Sequence, residues 1–168
     1  NGAMLAYRFA SENRECVAGI GVVAGSIGSS EDEGQAACKT GPPKTAVPVI
    51  AIHGREDKTV PFAGGLSLHG ARRYYVSAPD SVGLWAQYCG CDPAPEVREE
   101  PHGGWSTMTW RDGEGETWAI LYILDTWEHI WPGTSNHWRL PQDHPLRTFD
   151  ASEVIWAFFR DRTSFAGR

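Results

Sequence analysis

Val49-Ile50-Ala51-Ile52-His53-Gly54-Arg55-Glu56-Asp57-Lys58-Thr59-Val60-Pro61 decides how this chain folds. It opens as an apolar, β-branched run with no polar alternation. That is the pattern of a strand buried on both faces, as parallel strands in α/β proteins are. The run then breaks into a loop that holds an acid. Further along, Ala119-Ile120-Leu121-Tyr122-Ile123-Leu124-Asp125 repeats the pattern, and a short turn leads on to His129-Ile130-Trp131-Pro132-Gly133. Strands are expected at residues 18–24, 47–54 and 117–125. Residues 2–12 read as a helix whose small residues Gly2, Ala3 and Ala6 permit close approach to a sheet. Residues 80–89 read as a short helix. Residues 96–101 and 105–111 read as extended, with Gly113-Glu114-Gly115 as the turn before the last strand. Residues 25–46 and 133–149 read as loops, and 62–79 as a long connection. Asp150 with Glu153 predicts a capping box for a final helix. Strands alternating with helices predict an α/β fold, a mostly parallel sheet flanked by helices, with an antiparallel excursion near residues 96–111.

Composition narrows the function classes. At 168 residues the chain suffices for one domain with a core, and 41% hydrophobic content with eight tryptophans argues against disorder. The formal charge of −6, with only Arg72-Arg73 as adjacent basic residues, argues against a nucleic-acid partner. No apolar run reaches the length of a membrane span, so no membrane partner is expected. Four cysteines, Cys16, Cys38, Cys89 and Cys91, allow three full pairings. A Cys89–Cys91 bridge would be strained by its short loop, and the spacing fits neither zinc nor a thioredoxin-like motif. Composition leaves the oligomeric state open.

Three segments carry the chemistry. The chain begins Asn1-Gly2-Ala3-Met4-Leu5-Ala6-Tyr7-Arg8. This reads as the second half of Gly-x-Ser-x-Gly, the sharp strand-to-helix turn that exposes a nucleophilic serine. Asn1-Gly2 would be the x-Gly, and the serine would stand one residue before Asn1. His53-Gly54-x-x-Asp57-x-x-Val60-Pro61 resembles the loop that carries the triad acid in α/β-hydrolases. His129-x-Trp131-Pro132-Gly133 resembles the histidine loop of the polyhydroxybutyrate depolymerase and feruloyl (acetylxylan) esterase group of secreted esterases. The order elbow, Asp57, His129 is the order of the α/β-hydrolase triad. Gly21-Val22-Val23-Ala24-Gly25, Gly64-Gly65, Ser81-Val82 to Trp85 with Gly90-Cys91, and Asp150 to Phe159 are also similar to that group.

The resemblance implies the C-terminal half of an α/β-hydrolase fold, a single partial domain over residues 1–168, truncated at the nucleophile elbow. It implies a serine carboxylic ester hydrolase, extracellular or periplasmic, with no cofactor. The partner would be an ester substrate, polymeric or released from a polymer: a polyhydroxyalkanoate or a plant cell-wall ester. Two departures stand out. Thr126-Trp127-Glu128 replaces the glycines usual before the histidine, which alters the loop path or adds Trp127 and Glu128 to the site rim. Trp110 stands where the group often has a cysteine partner for Cys91, which puts that disulfide in doubt.

The implied roles follow the chemistry of acyl transfer. His129 is the general base, and Asp57 orients it. The backbone N–H of Asn1 is one oxyanion donor, being next after the nucleophile. Trp127 and Trp131 flank the histidine and are expected to bind substrate, with Trp138, Tyr74 and Tyr75 as further candidates for an aromatic platform. Each residue also has a plainer use: a loop aspartate often forms a turn, and a tryptophan usually packs in a core. Ser26, Ser106 and Ser135 lack the full elbow motif. Asn1 excludes an N-terminal nucleophile of the Ser, Thr or Cys type. His137, Asp143 and His144 lie near His129 in sequence, but their spacing fits no zinc pattern, so no metal is expected. Two other functions fit the same segments: a non-catalytic carbohydrate-binding module on a hydrolase scaffold, and a serine peptidase of the same fold.

Overall fold

A computed structural model describes residues 1–30, 40–69, 72–133, 138 and 140–160. The elements, in chain order, are α1 (Gly2–Glu12), β1 (Ile20–Val23), β2 (Ser29–Ser30), β3 (Val49–Gly54), β4 (Gly65–Leu66), β5 (Tyr74–Tyr75), α2 (Ala78–Tyr88), β6 (Glu96–Glu100), β7 (Trp105–Arg111), β8 (Thr117–Leu124) and α3 (Ala151–Arg160). The main sheet has the order β1-β3-β8-β7-β6. Strands β1, β3 and β8 run parallel, with Val23 opposite Ile52 and Gly54 opposite Leu124. β7 and β6 extend this core as an antiparallel meander. The protein is therefore of the α/β class, and the expected excursion near residues 96–111 is the β6–β7 hairpin.

Every residue of β3 is buried because the strand lies between two neighbours and under helices on both faces. On one face Val49 and Ala51 join Ile20, Val22, Ala119 and Leu121 beneath Tyr7 and Ala10 of α1 and Val82 and Trp85 of α2. On the other face Ile52 and Leu124 pack with Leu146, Phe149 and Ala151, at the entrance to α3. The period-two alternation of strand side chains sorts these residues to the two faces. Trp85 is fully buried and satisfies its indole N–H on the Val47 carbonyl at 2.8 Å.

The helix ends follow local chemistry. Ser77 caps α2, accepting from the Asp80 N–H at 3.0 Å while donating to the Asp80 carboxylate at 2.6 Å. The helix stops at Cys89, and Gly90 follows in the left-handed region at φ 79°. Asp150 Oδ1 accepts from the N–H groups of Ser152 and Glu153 at 2.8 and 3.2 Å, the forward half of the expected capping box. The connections read as loops hold more order than expected. β2, β5 and β4 make a small antiparallel sheet of two-residue strands, and Pro145–Thr148 forms a 3-10 turn.

Candidate active site

The parallel strands β1, β3 and β8 set three carboxyl ends along one edge of the sheet, and the candidate residues gather there. β3 ends at Gly54 and β8 at Leu124, and the loops that leave them are bonded together. Arg55 N–H donates to the Leu124 carbonyl at 2.9 Å, and Glu56 N–H to the Trp127 carbonyl at 3.1 Å. The approach is so close that a Cβ at Gly54 would lie 1.9 Å from the Trp127 carbonyl oxygen. Glycine is required at that position by space.

Asp57 sits in the loop after β3 with its side chain fully buried. Its Oδ1 accepts from the backbone N–H groups of Thr59 and Val60, both at 2.8 Å. Its Oδ2 lies 2.8 Å from His129 Nδ1 across 72 positions of sequence. Burial by itself pushes the Asp57 carboxyl up. Hydrogen bonds from His53, Val60 and His129, with the charge of His129, outweigh burial and hold it below the ordinary carboxylate value. Asp57 is thus an anion at neutral pH, in a place where an unpaired anion would be costly.

His129 is the exposed member of the pair, with 41% of its side chain open to solvent. Because Nδ1 faces the carboxylate, Nε2 is the nitrogen available for proton exchange. His129 borders a cavity of about 220 Å³, together with Glu56, Lys58, Thr59, Glu128 and Ile130. A neighbouring cavity of about 420 Å³ shares Glu56, Glu128 and Ile130 and adds Trp138 and Leu140.

The histidine loop is anchored from below. Trp127 is 5% exposed, packs with Ile52, Leu124, Leu146 and Phe149, and spends its indole N–H on the Ile130 carbonyl at 2.7 Å. It lines the larger cavity, but most of its surface belongs to the core, so it serves chiefly as an anchor for the loop. Trp131 is half exposed and borders neither cavity. Trp138 is 74% exposed and borders the larger one. His144 is also committed to the loop. Its Nδ1 accepts from Leu146 N–H at 3.2 Å, so its Nε2 carries the proton and donates to Thr126 Oγ1 at 3.1 Å. Among the described residues, no group of three His, Cys, Asp or Glu side chains is arranged to hold a metal. His137 and Ser135 lie outside the described residues.

Asn1 stands at the start of α1 on the same edge. A Cβ at Gly25, just past the end of β1, would come within 2.1 Å of Ala3 Cβ, so the first turn of α1 rests on the carboxyl end of that strand. Ser26 is buried with its hydroxyl between the carbonyls of Gly28 (2.9 Å) and Val76 (2.8 Å), a structural use. Ser106 is buried within β7. Cys16, Cys89 and Cys91 carry free thiols, and Cys38 lies outside the described residues. Burial pushes the Cys89 thiol up to about 11 and, with the charge of Cys89 added, the Cys91 thiol up to about 12.

One buried residue was not singled out by the sequence. His53, the penultimate residue of β3, is 2% exposed and sets its Nε2 2.9 Å from the Val60 carbonyl and 3.4 Å from Asp57 Oδ2. The motif around Asp57 contained it, yet no local pattern says where its ring points.

The fold and site define an α/β protein with a buried carboxylate paired to a solvent-facing histidine at the carboxyl edge of its sheet. No known protein family and no curated protein matches the sequence.

Proposed function

We propose that the chain belongs to a serine carboxylic ester hydrolase of the α/β-hydrolase fold, similar to the polyhydroxybutyrate depolymerase and feruloyl or acetylxylan esterase group. The observation that carries this reading is the 2.8 Å contact between buried Asp57 and exposed His129. It joins two distant loops into the orienter-and-base half of a catalytic triad. The nucleophile in this proposal is a serine directly before Asn1, at the head of α1.

The reaction is acyl transfer in two steps. His129 Nε2 takes the serine hydroxyl proton as the oxygen bonds the ester carbonyl carbon. The oxyanion that forms accepts a hydrogen bond from the Asn1 backbone N–H, which the positive end of the α1 dipole reinforces. His129 then returns the proton to the leaving alcohol oxygen as the ester C–O bond breaks. Water, deprotonated by the same imidazole, then attacks the acyl carbon, and the imidazolium returns that proton to the serine oxygen as its bond to the acyl carbon breaks, freeing the acid. Asp57 stabilises the imidazolium at each stage and is not itself protonated. Polyhydroxyalkanoates and plant cell-wall esters are the proposed substrates, met outside the cytoplasm.

Hydrolysis of a p-nitrophenyl ester, compared with a chromogenic peptide, by the polypeptide that includes the upstream serine tests this reading. Turnover of the ester is expected, with His129→Ala lowering kcat by about 10⁴-fold or more and KM changing little. Residues 1–168 alone are expected to be inactive. Near-normal turnover in the His129 variant, or hydrolysis by residues 1–168 alone, sends the search to another nucleophile. Preference for the peptide makes the protein a peptidase. No hydrolysis by the longer polypeptide leaves a binding module.

A further inference from the structure

We propose that His53 is a positioning residue for the Asp57–His129 pair, clamping the acid loop so that Asp57 Oδ2 stays aimed at the His129 ring. Its effect on turnover rests on the esterase reading above; its effect on the pair does not.

The geometry is a closed clasp. A carbonyl oxygen only accepts, so the 2.9 Å contact to Val60 requires His53 Nε2 to carry the ring proton. That bond ties the end of β3 to the far side of the loop, seven residues on. Val60 is then held twice: its carbonyl by His53, and its N–H by Asp57 Oδ1. With Thr59 N–H also on Oδ1, the carboxylate has one oxygen fixed by the loop and the other turned to His129. Phe62 packs edge-on against the His53 ring at 6.1 Å and limits its rotation.

The distances decide how His53 acts. Its N–H points first at Val60 (2.9 Å), and Asp57 Oδ2 at 3.4 Å receives at most the weaker share of a forked bond. His53 therefore holds the loop through Val60 and, through the longer arm, also helps keep the Asp57 carboxyl below its ordinary value. His53 does not border the cavity beside His129, where the charged and titratable neighbours are Glu56, Lys58, His69 and Glu128. It is placed to hold the acid and not to exchange protons with a substrate.

Substitutions of graded reach test this. The amide nitrogen of Gln extends about as far as Nε2, whereas that of Asn stops about where Nδ1 does. His53→Gln is expected to keep the Val60 bond, and His53→Asn and His53→Leu to lose it. ¹⁵N NMR of the histidine rings in the 168-residue chain reads the consequence, at a pH where the imidazole is neutral. In the wild type, His129 is expected as the Nδ1–H tautomer, because Nδ1 donates to Asp57. His53→Gln keeps that tautomer. His53→Asn and His53→Leu shift His129 toward the Nε2–H form that free imidazole favours. In the longer polypeptide the same two variants lose about 10²-fold in kcat with KM little changed. A role confined to stability would lower the melting temperature without moving the tautomer, which overturns the proposal. So does equal behaviour of the Gln and Asn variants, a comparison that holds even where the Leu variant fails to fold. If the tautomer pattern holds while no ester is cleaved by any form, the positioning role stands and the esterase reading falls.

Discussion

Gly54→Ala adds one carbon at the point where the acid and histidine loops cross. The new Cβ would lie 1.9 Å from the Trp127 carbonyl oxygen and 2.4 Å from its carbonyl carbon. Both are backbone atoms, so no side chain can swing away to make room. Relief requires the loops to part by more than an ångström. Overpacking of this kind costs about 1–3 kcal/mol. Parting the loops also strains the Glu56 N–H bond to the same carbonyl, worth about 0.5–1.5 kcal/mol net. The expected loss is about 2–4 kcal/mol, a large share of the 5–15 kcal/mol typical of a domain. For a chain of this size it corresponds to a fall in Tm of roughly 4–16 °C. Urea unfolding followed by tryptophan fluorescence reads it directly. Gly113→Ala is the matched control, since a Cβ there meets nothing within 4 Å. Its effect should stay within about 0.5 kcal/mol. The damage should be coupled to the pair, because the separated loops carry Asp57 and His129. Gly54→Ala should therefore also lose the Nδ1–H tautomer of His129 at temperatures where it remains folded. A Gly54→Ala protein as stable as the Gly113→Ala control, with that tautomer intact, would refute the crossing as the element that joins the two loops.

Asp57 links stability to pH with a definite sign. Its folded-state carboxyl titrates below the ordinary 3.8. The contribution is therefore fully present above the unfolded-state value and is lost as pH falls through the lower folded value. The difference in unfolding free energy between wild type and Asp57→Asn should shrink as pH falls below about 4; a difference that grows between about pH 4 and 2 would contradict the sign. The cysteines should separate by exposure. Brief alkylation of the native chain at pH 8 should label Cys16 and leave Cys89 and Cys91, whose buried thiols are pushed up to about 11 and 12. Peptide mass spectrometry before and after unfolding checks this, and native labelling of Cys91 as fast as Cys16 would count against the buried assignment.

The parts of the fold that were legible in the sequence are those whose environment is uniform along the chain. Val49 to Gly54 is buried at every position, so its apolar run lost no signal to alternation. The antiparallel excursion showed because Gly113 to Gly115 marks a turn between two extended runs. β2, β4 and β5 did not show, because a two-residue strand contains no full period and is held by its partners alone. The ends of the site divided the same way. Asp57 and His129 stand in strings that constrain their own loops, so a close approach was expectable. Trp127 and His53 depend on where a ring points. Beside His129 in sequence, Trp127 read as rim, and its indole packs with Leu124 and Phe149 while still lining the larger cavity. His53 read as the end of a strand, and only the fold brings the Val60 carbonyl to its Nε2. A residue's place along the chain is fixed by local pattern, while its direction is fixed by partners that local pattern does not name. That is why the meeting of Asp57 with His129 could be anticipated from the sequence while the bond from His53 to the Val60 carbonyl could not.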